Sequence, residues 1–206
     1  YIIEDDLSVN ALHLSSRVDE MELVLFELSE GPTNMPDGKM QEYLRTIGEK
    51  TGLGYSVHLP KDLTMRDGAN SIMLAEKVIA RTMNLPVYGV IAHIEGWYWK
   101  QYRARNGNPS LYEEWSTEGR QVIQWLCDHT PIDWKVCVEN VEGTPVEEID
   151  SLIEGIDVSR CIDIGHLLKD HHPDPIGYLE RNLDKCHSVH LHAMNGDGSD
   201  HHSVAL

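Results

Sequence analysis

The stretch HSVHLHAMNGDGSDHH, residues 187 to 202, packs five imidazoles and two carboxylates into sixteen residues. Imidazole with carboxylate is the donor set that zinc and manganese take up. A solvated histidine-rich segment is the plain alternative, and matching donors elsewhere in the chain decide between the two. Such donors recur after short apolar runs: His58 follows GYSV, His93 follows VYGVIA, and Glu139 follows KVCV. Asp163 follows SRCI with His166 three residues on, and His190 follows CHSV with His192 two further along the same strand face. Asp200 and His202 come next, on the segment beyond. From His58 to His93, Glu139, Asp163 and His190 the intervals are 35, 46, 24 and 27 residues. Most approximate one βα unit of about 30 residues. The longest contains the irregular stretch GWYWKQYRARNGNPS.

One metal takes three or four protein ligands. The eight residues His58, His93, Glu139, Asp163, His166, His190, Asp200 and His202 suffice for two or three divalent ions, zinc first, with manganese or iron as alternatives. A lone His58 or His93 reads more readily as a hydrogen-bonded core histidine. Glu139 and Asp163, ending apolar strands, do not read so easily that way, because an unpaired buried charge is costly. Paired metals stabilise both the attacking and the leaving oxygen of a phosphoryl displacement. His13, His129, His171, His172 and His187 fall outside the pattern.

The elements that must carry these residues are strands over 21–27, 54–59, 87–94, 135–139, 159–164 and 186–192. Most are continuous apolar runs, as in parallel strands buried on both faces. Helical patterns lie between them, at 68–83, at 110–128, and near 145, where TPVEE offers Thr144 as a cap and Pro145 for the first turn. Alternating β and α units predict a parallel sheet, doubly wound or closed as a (β/α)8 TIM barrel, over a single domain spanning 1–206. A full barrel runs to about 250 residues. The first strand-like YII and the closing SVAL therefore read as a barrel truncated at both ends.

The 206 residues carry 17 Lys and Arg against 34 Asp and Glu, a formal charge of -17. So acidic a surface argues against nucleic acid as partner. No apolar run approaches the roughly 20 residues of a membrane span, so no membrane partner is expected. Cys127, Cys137, Cys161 and Cys186 are widely spaced and read as reduced thiols of a cytoplasmic protein.

Taken in order, HLP, AHIEG, VENVEG, CIDIGH, HLH and DHH resemble the xylose-isomerase-like TIM barrel superfamily, which includes abasic-site endonucleases and sugar phosphate isomerases and epimerases. The resemblance implies two alternatives. A single-metal sugar isomerase or epimerase would use Glu139, Asp163, His190 and a further acid. A phosphodiester-cleaving enzyme with a multinuclear zinc site would add His58, His93, His166, Asp200 and His202. All of these extra positions are filled, which favours metal-dependent phosphoester hydrolysis. Ala193 stands where the superfamily usually has an acid. The opening stretch YIIEDDLSVNALHLSSRVDEMELVLFE is also similar to cobamide-remodelling phosphodiesterases, which cleave the nucleotide loop of B12-like cofactors.

In that reading Glu139 and His192 are the candidate catalytic residues. Glu139 would bridge metals or steer hydroxide, and His192 would orient a ligand. Trp97 and Trp99 offer flat faces for a base or corrin ring, and Lys100, Arg103 and Arg105 could meet a phosphate. The alternative for this stretch is a helix that simply packs on the barrel. A barrel that binds metal or ligand without catalysis is the third possibility for the whole.

Overall fold

The computed structural model describes residues 6–27, 33–66 and 70–192, apart from the side chains of Trp97 and Tyr98. Its elements run α1 (Leu7–Leu14), β1 (Glu20–Val24), α2 (Gly38–Thr51), β2 (Gly54–His58), α3 (Asn70–Thr82), β3 (Val87–Ala92), α4 (Trp97–Ala104) and α5 (Pro109–His129). They continue with β4 (Lys135–Glu139), α6 (Val146–Ile153), β5 (Ser159–Asp163), α7 (Ile164–Lys169), α8 (Pro175–Asn182) and β6 (Cys186–His190). All six expected strands form. The pairings β1–β2, β2–β3, β4–β5 and β5–β6 are all parallel. This is the α/β architecture that the alternating pattern predicts.

The chain forms two compact units. The first takes in the described residues up to Lys61, with Met65–Ile91 and His129–Lys135; the second takes in Asp62–Thr64, Ala92–Asp128 and the described residues from Val136 onward.

In the first unit, Asp37 caps α2 by accepting from the Met40 N–H at 2.8 Å. The helix ends at Gly52, whose φ of 82° is the left-handed turn that glycine makes without strain. The buried face of α2 carries Leu44 and Ile47, while Leu23, Tyr55 and Val57 of the sheet are wholly buried. The Tyr55 hydroxyl donates to the Leu44 carbonyl at 2.9 Å, and burial pushes its pKa up to about 12. The ring thus joins strand to helix without leaving a polar atom unpaired.

In the second unit, α5 buries Trp115, Gly119, Val122, Ile123 and Leu126, one stripe at helical spacing. A Cβ at Gly119 would stand 3.1 Å from Leu152 and 3.4 Å from Ile94, so the bare glycine lets α6 approach closely. The adjacent Arg120 donates to the carbonyls of Leu152 at 2.8 Å and Glu154 at 3.0 Å, satisfying the end of α6. The irregular stretch after His93 is in part helical, as α4. α6 starts one residue later than a Thr144 cap would place it. Its N-cap is Pro145, and no side chain caps it. No described helix is long and apolar enough to cross a membrane.

Candidate metal centre

The polar residue at each strand end falls where a parallel sheet turns into its following loop. In the second unit this gathers His93, Glu139, Asp163, His166, His190 and His192. Glu139 ends β4 and is 1% exposed; Asp163 ends β5 and is 2% exposed. The ion-pair partners described for both are imidazoles. Glu139 Oε2 lies 3.0 Å from His93 Nε2, and its Oε1 lies 2.9 Å from His190 Nδ1. The two carboxylate oxygens therefore serve two different histidines. Asp163 Oδ1 lies 3.1 Å from His192 Nε2, and Asp163 Oδ2 lies 3.7 Å from His166 Nδ1.

Parallel register accounts for part of this convergence. Asp163 is paired with His190, and Glu139 with Cys161, across neighbouring strands. Residues two apart on a strand share a face, so Cys161 lies one step below Asp163 on the same side. Two donor groups result, Asp163–His166–His192 and Glu139–Cys161–His190, each with ligand atoms within 4.8 Å of one another. Buried carboxylates facing imidazoles and a thiol are the donor chemistry of a divalent transition metal. The residues fit such an ion.

Neighbouring groups hold the donors in place. Asn140 donates its amide to the Asp163 carbonyl at 2.9 Å and accepts from the Asp163 N–H at 2.9 Å. Its own carbonyl lies 2.9 Å from His166 Nδ1. A carbonyl only accepts, so Nδ1 donates there, and Nε2 lies 3.3 Å from Glu142 Oε2. Asp163 also caps α7 by accepting from the His166 N–H at 2.8 Å. A Cβ at Gly165 would stand 2.1 Å from the His192 ring, so glycine is required for that ring to lie where it does. Leu63 pairs with Ile94, which sets Asp62 Oδ1 3.2 Å from His93 Nδ1. Burial disfavours the charged form of His93, but Asp62 and Glu139 outweigh it and raise its pKa to about 9.

His58 ends β2 in the first unit, with Nδ1 2.9 Å from the Leu59 carbonyl. Its ligand atom lies within 4.8 Å of a Glu22 oxygen. Asp200, His202 and the Trp97 side chain lie outside the described residues. Trp99 is 5% exposed, its ring centroid 5.3 Å from Tyr102 and 5.7 Å from Trp115. It packs inside an aromatic cluster rather than on an open face. Lys100, Arg103 and Arg105 have no ion-pair partner among the described residues. Sequence reasoning missed Glu22, Asp62, Asn140, Gly165 and Cys161 as parts of these clusters. Only Cys161 carried a usable signal, through strand alternation with Asp163.

No protein-family model matches the chain, and no curated protein does. Among solved structures, it resembles a D-tagatose 3-epimerase-like protein, with TM-score 0.62 and 19% identity over 86% of this chain and 68% of that one. It also resembles a xylose isomerase-like TIM barrel protein from Mycobacterium smegmatis in complex with magnesium, with TM-score 0.57 and 14% identity over 94% and 70%. A third likeness is to 3-keto-D-glucoside 4-epimerase from E. coli in its apo form, with TM-score 0.56 and 16% identity over 78% and 68%. At these identities the likeness is one of fold. The chain has an α/β TIM barrel fold and spans part of each of these barrels.

Proposed function

We propose that this protein is a metal-dependent phosphoric ester hydrolase acting on a small phosphodiester. The observation that carries this reading is Glu139. Its two oxygens are directed at different imidazoles, with a separate Asp163–His166–His192 group beside them. A carboxylate so placed suits bridging two cations. Asp163, His166 and His192 would hold one, and Glu139, His190 and His93 the other. Bound metals would supply a hydroxide near neutral pH and neutralise phosphoryl charge. Glu139 would orient the attacking oxygen, and Asn140 would keep Asp163 and His166 in place. Lys100, Arg103 and Arg105, without ion-pair partners among the described residues, would meet the substrate's phosphate. The likeness of the opening stretch to cobamide-remodelling phosphodiesterases makes a cobamide the first substrate to try.

The alternative is a single-metal sugar epimerase, and the two epimerase-type structures of similar fold favour it. Elemental analysis and a parallel assay distinguish the readings. More than one equivalent of zinc, manganese or iron, with hydrolysis of a cobamide or a bis-aryl phosphate that chelator abolishes, is the expected result. At most one metal, with turnover of a free ketose or aldose and no phosphodiester cleavage, would establish the epimerase instead.

A further inference from the structure

A cavity of about 270 Å³ opens beside the centre, lined by Arg103, Asn140, Thr144, Val146, Glu147 and His166 among others. Three features of it lack the partners their chemistry calls for. Thr144 is 3% exposed and lines the cavity, and no hydrogen bond of its hydroxyl is described. α6 begins there with no side-chain cap, and only the Glu148 and Ile149 N–H groups reach the Pro145 carbonyl. That leaves the Val146 and Glu147 N–H groups without a described acceptor. By contrast, α1, α2, α7 and α8 each have a capping aspartate, namely Asp6, Asp37, Asp163 and Asp174. Arg103, at the cavity's edge, has no described ion pair.

A buried hydroxyl, two backbone donors at the positive end of a helix and a guanidinium are a set of donors without an acceptor. Their common complement is an oxyanion. Two carboxylates also line the space. Asp170 is turned to the Gly143 N–H at 2.8 Å, and the Glu147 side chain is 72% exposed, 3.9 Å from His172. They limit affinity without filling the donors' need.

We infer that this cavity is an oxyanion subsite that takes a phosphate group of the substrate, held by the Thr144 hydroxyl, the Val146 and Glu147 N–H groups and Arg103. His166 lines the cavity and belongs to the donor cluster. A phosphorylated substrate seated here therefore adjoins the metal centre. The word substrate rests on the hydrolase reading; the anion site does not.

The test uses metal-free protein, so that phosphate cannot bind through a metal. Inorganic phosphate and phenyl phosphate are titrated by calorimetry at constant ionic strength. Both should bind saturably in the millimolar range, and Thr144→Val and Arg103→Gln should each weaken binding about tenfold. Thr144→Ser, which keeps the hydroxyl, should retain it and covers the case in which the valine variant fails to fold. Lys185→Gln, on a remote lysine, should change nothing. Absence of saturable binding, or binding indifferent to both Thr144→Val and Arg103→Gln, would overturn the site. Binding of inorganic phosphate with no binding of phenyl phosphate would overturn its assignment to substrate. If the metal count shows an epimerase while the Thr144-dependent binding persists, the hydrolase reading falls and the subsite stands.

Discussion

Gly165→Ala separates the metal centre from the fold that carries it. The nearest His192 ring atom would stand 2.1 Å from the new methyl, against an ordinary approach of 3.4 Å, so the ring must retreat by about 1.3 Å. That movement pulls Nε2 away from Asp163 Oδ1, now at 3.1 Å. Loss of a group that merely orients a metal ligand lowers affinity 10- to 100-fold, about 1.4–2.7 kcal/mol, and displacing His192, a ligand itself, should cost at least as much. The backbone itself has no objection, because Gly165 is not among the residues with positive φ. Alanine in a helix is worth up to about 1 kcal/mol over glycine. Thermal unfolding in excess chelator should therefore occur at or above the wild-type midpoint, while zinc affinity, read by competition with a chromophoric chelator, falls at least tenfold. In a His192→Ala background the same substitution should have almost no further effect on zinc, since the clashing ring is gone. Zinc affinity within twofold of wild type in the single variant would refute the argument. So would an equal loss in both backgrounds.

Other substitutions test neighbouring parts of the same reasoning. Asn140→Ala strips the Asp163 N–H and carbonyl of their partners and should cost about 2–5 kcal/mol in urea unfolding, with weaker metal binding; a loss below about 1 kcal/mol would mean water replaces the amide. In metal-free protein His93 is held protonated up to about pH 9, so its ion pairs add stability that is full below about pH 6.5 and lost as pH rises through 9. Metal must displace that proton, so zinc binding at pH 7.5 should release at least one proton per ion and tighten about tenfold per pH unit up to 9; pH-independent binding with no proton release would contradict it. Arg120→Met removes the donor to the carbonyls ending α6 and should destabilise by about 1–2 kcal/mol without changing zinc affinity. Reaction of Cys127 and Cys186 with iodoacetamide at pH 8 should be slower than that of a free thiol, because burial raises both thiols.

Strand ends were legible because a buried apolar run that stops at an acid or imidazole leaves a polar group whose burial must be compensated. Glu139, Asp163 and His190 stand at strand ends for that reason. Helix limits were nearly as clear for α3 and α5, whose apolar stripes keep helical spacing. Contacts that depend on register were not legible. Asn140 reads as one polar residue among several in VENVEG, and only the pairing of β4 with β5 sets its amide against the Asp163 backbone. Gly165 reads as a helix-weakening residue until the His192 ring is seen against it. Thr144 followed by proline and two acids matches a capping pattern, yet the helix begins after Pro145 and the hydroxyl is left to the cavity. Trp99 shows the limit of composition: a cluster of aromatics beside basic residues looks the same whether its rings face a ligand or each other.

The division of the chain also bears on the order in which its contacts can form during synthesis. Asp62–Thr64 belong to the second unit, although the residues on both sides of them belong to the first. When Asp62 is added to the growing chain, His93 lies 31 residues from being added and Glu139 lies 77. At about 5–20 residues per second, that delay is several seconds. The nascent Asp62 must wait as a placeholder for a partner not yet synthesised. Because neither unit is a continuous length of chain, no single truncation yields one free of residues of the other. A ribosome stalled after Lys135 would leave the first unit's residues complete, while the rest of β4 and everything after it, with Glu139 and both donor clusters, would still be unmade.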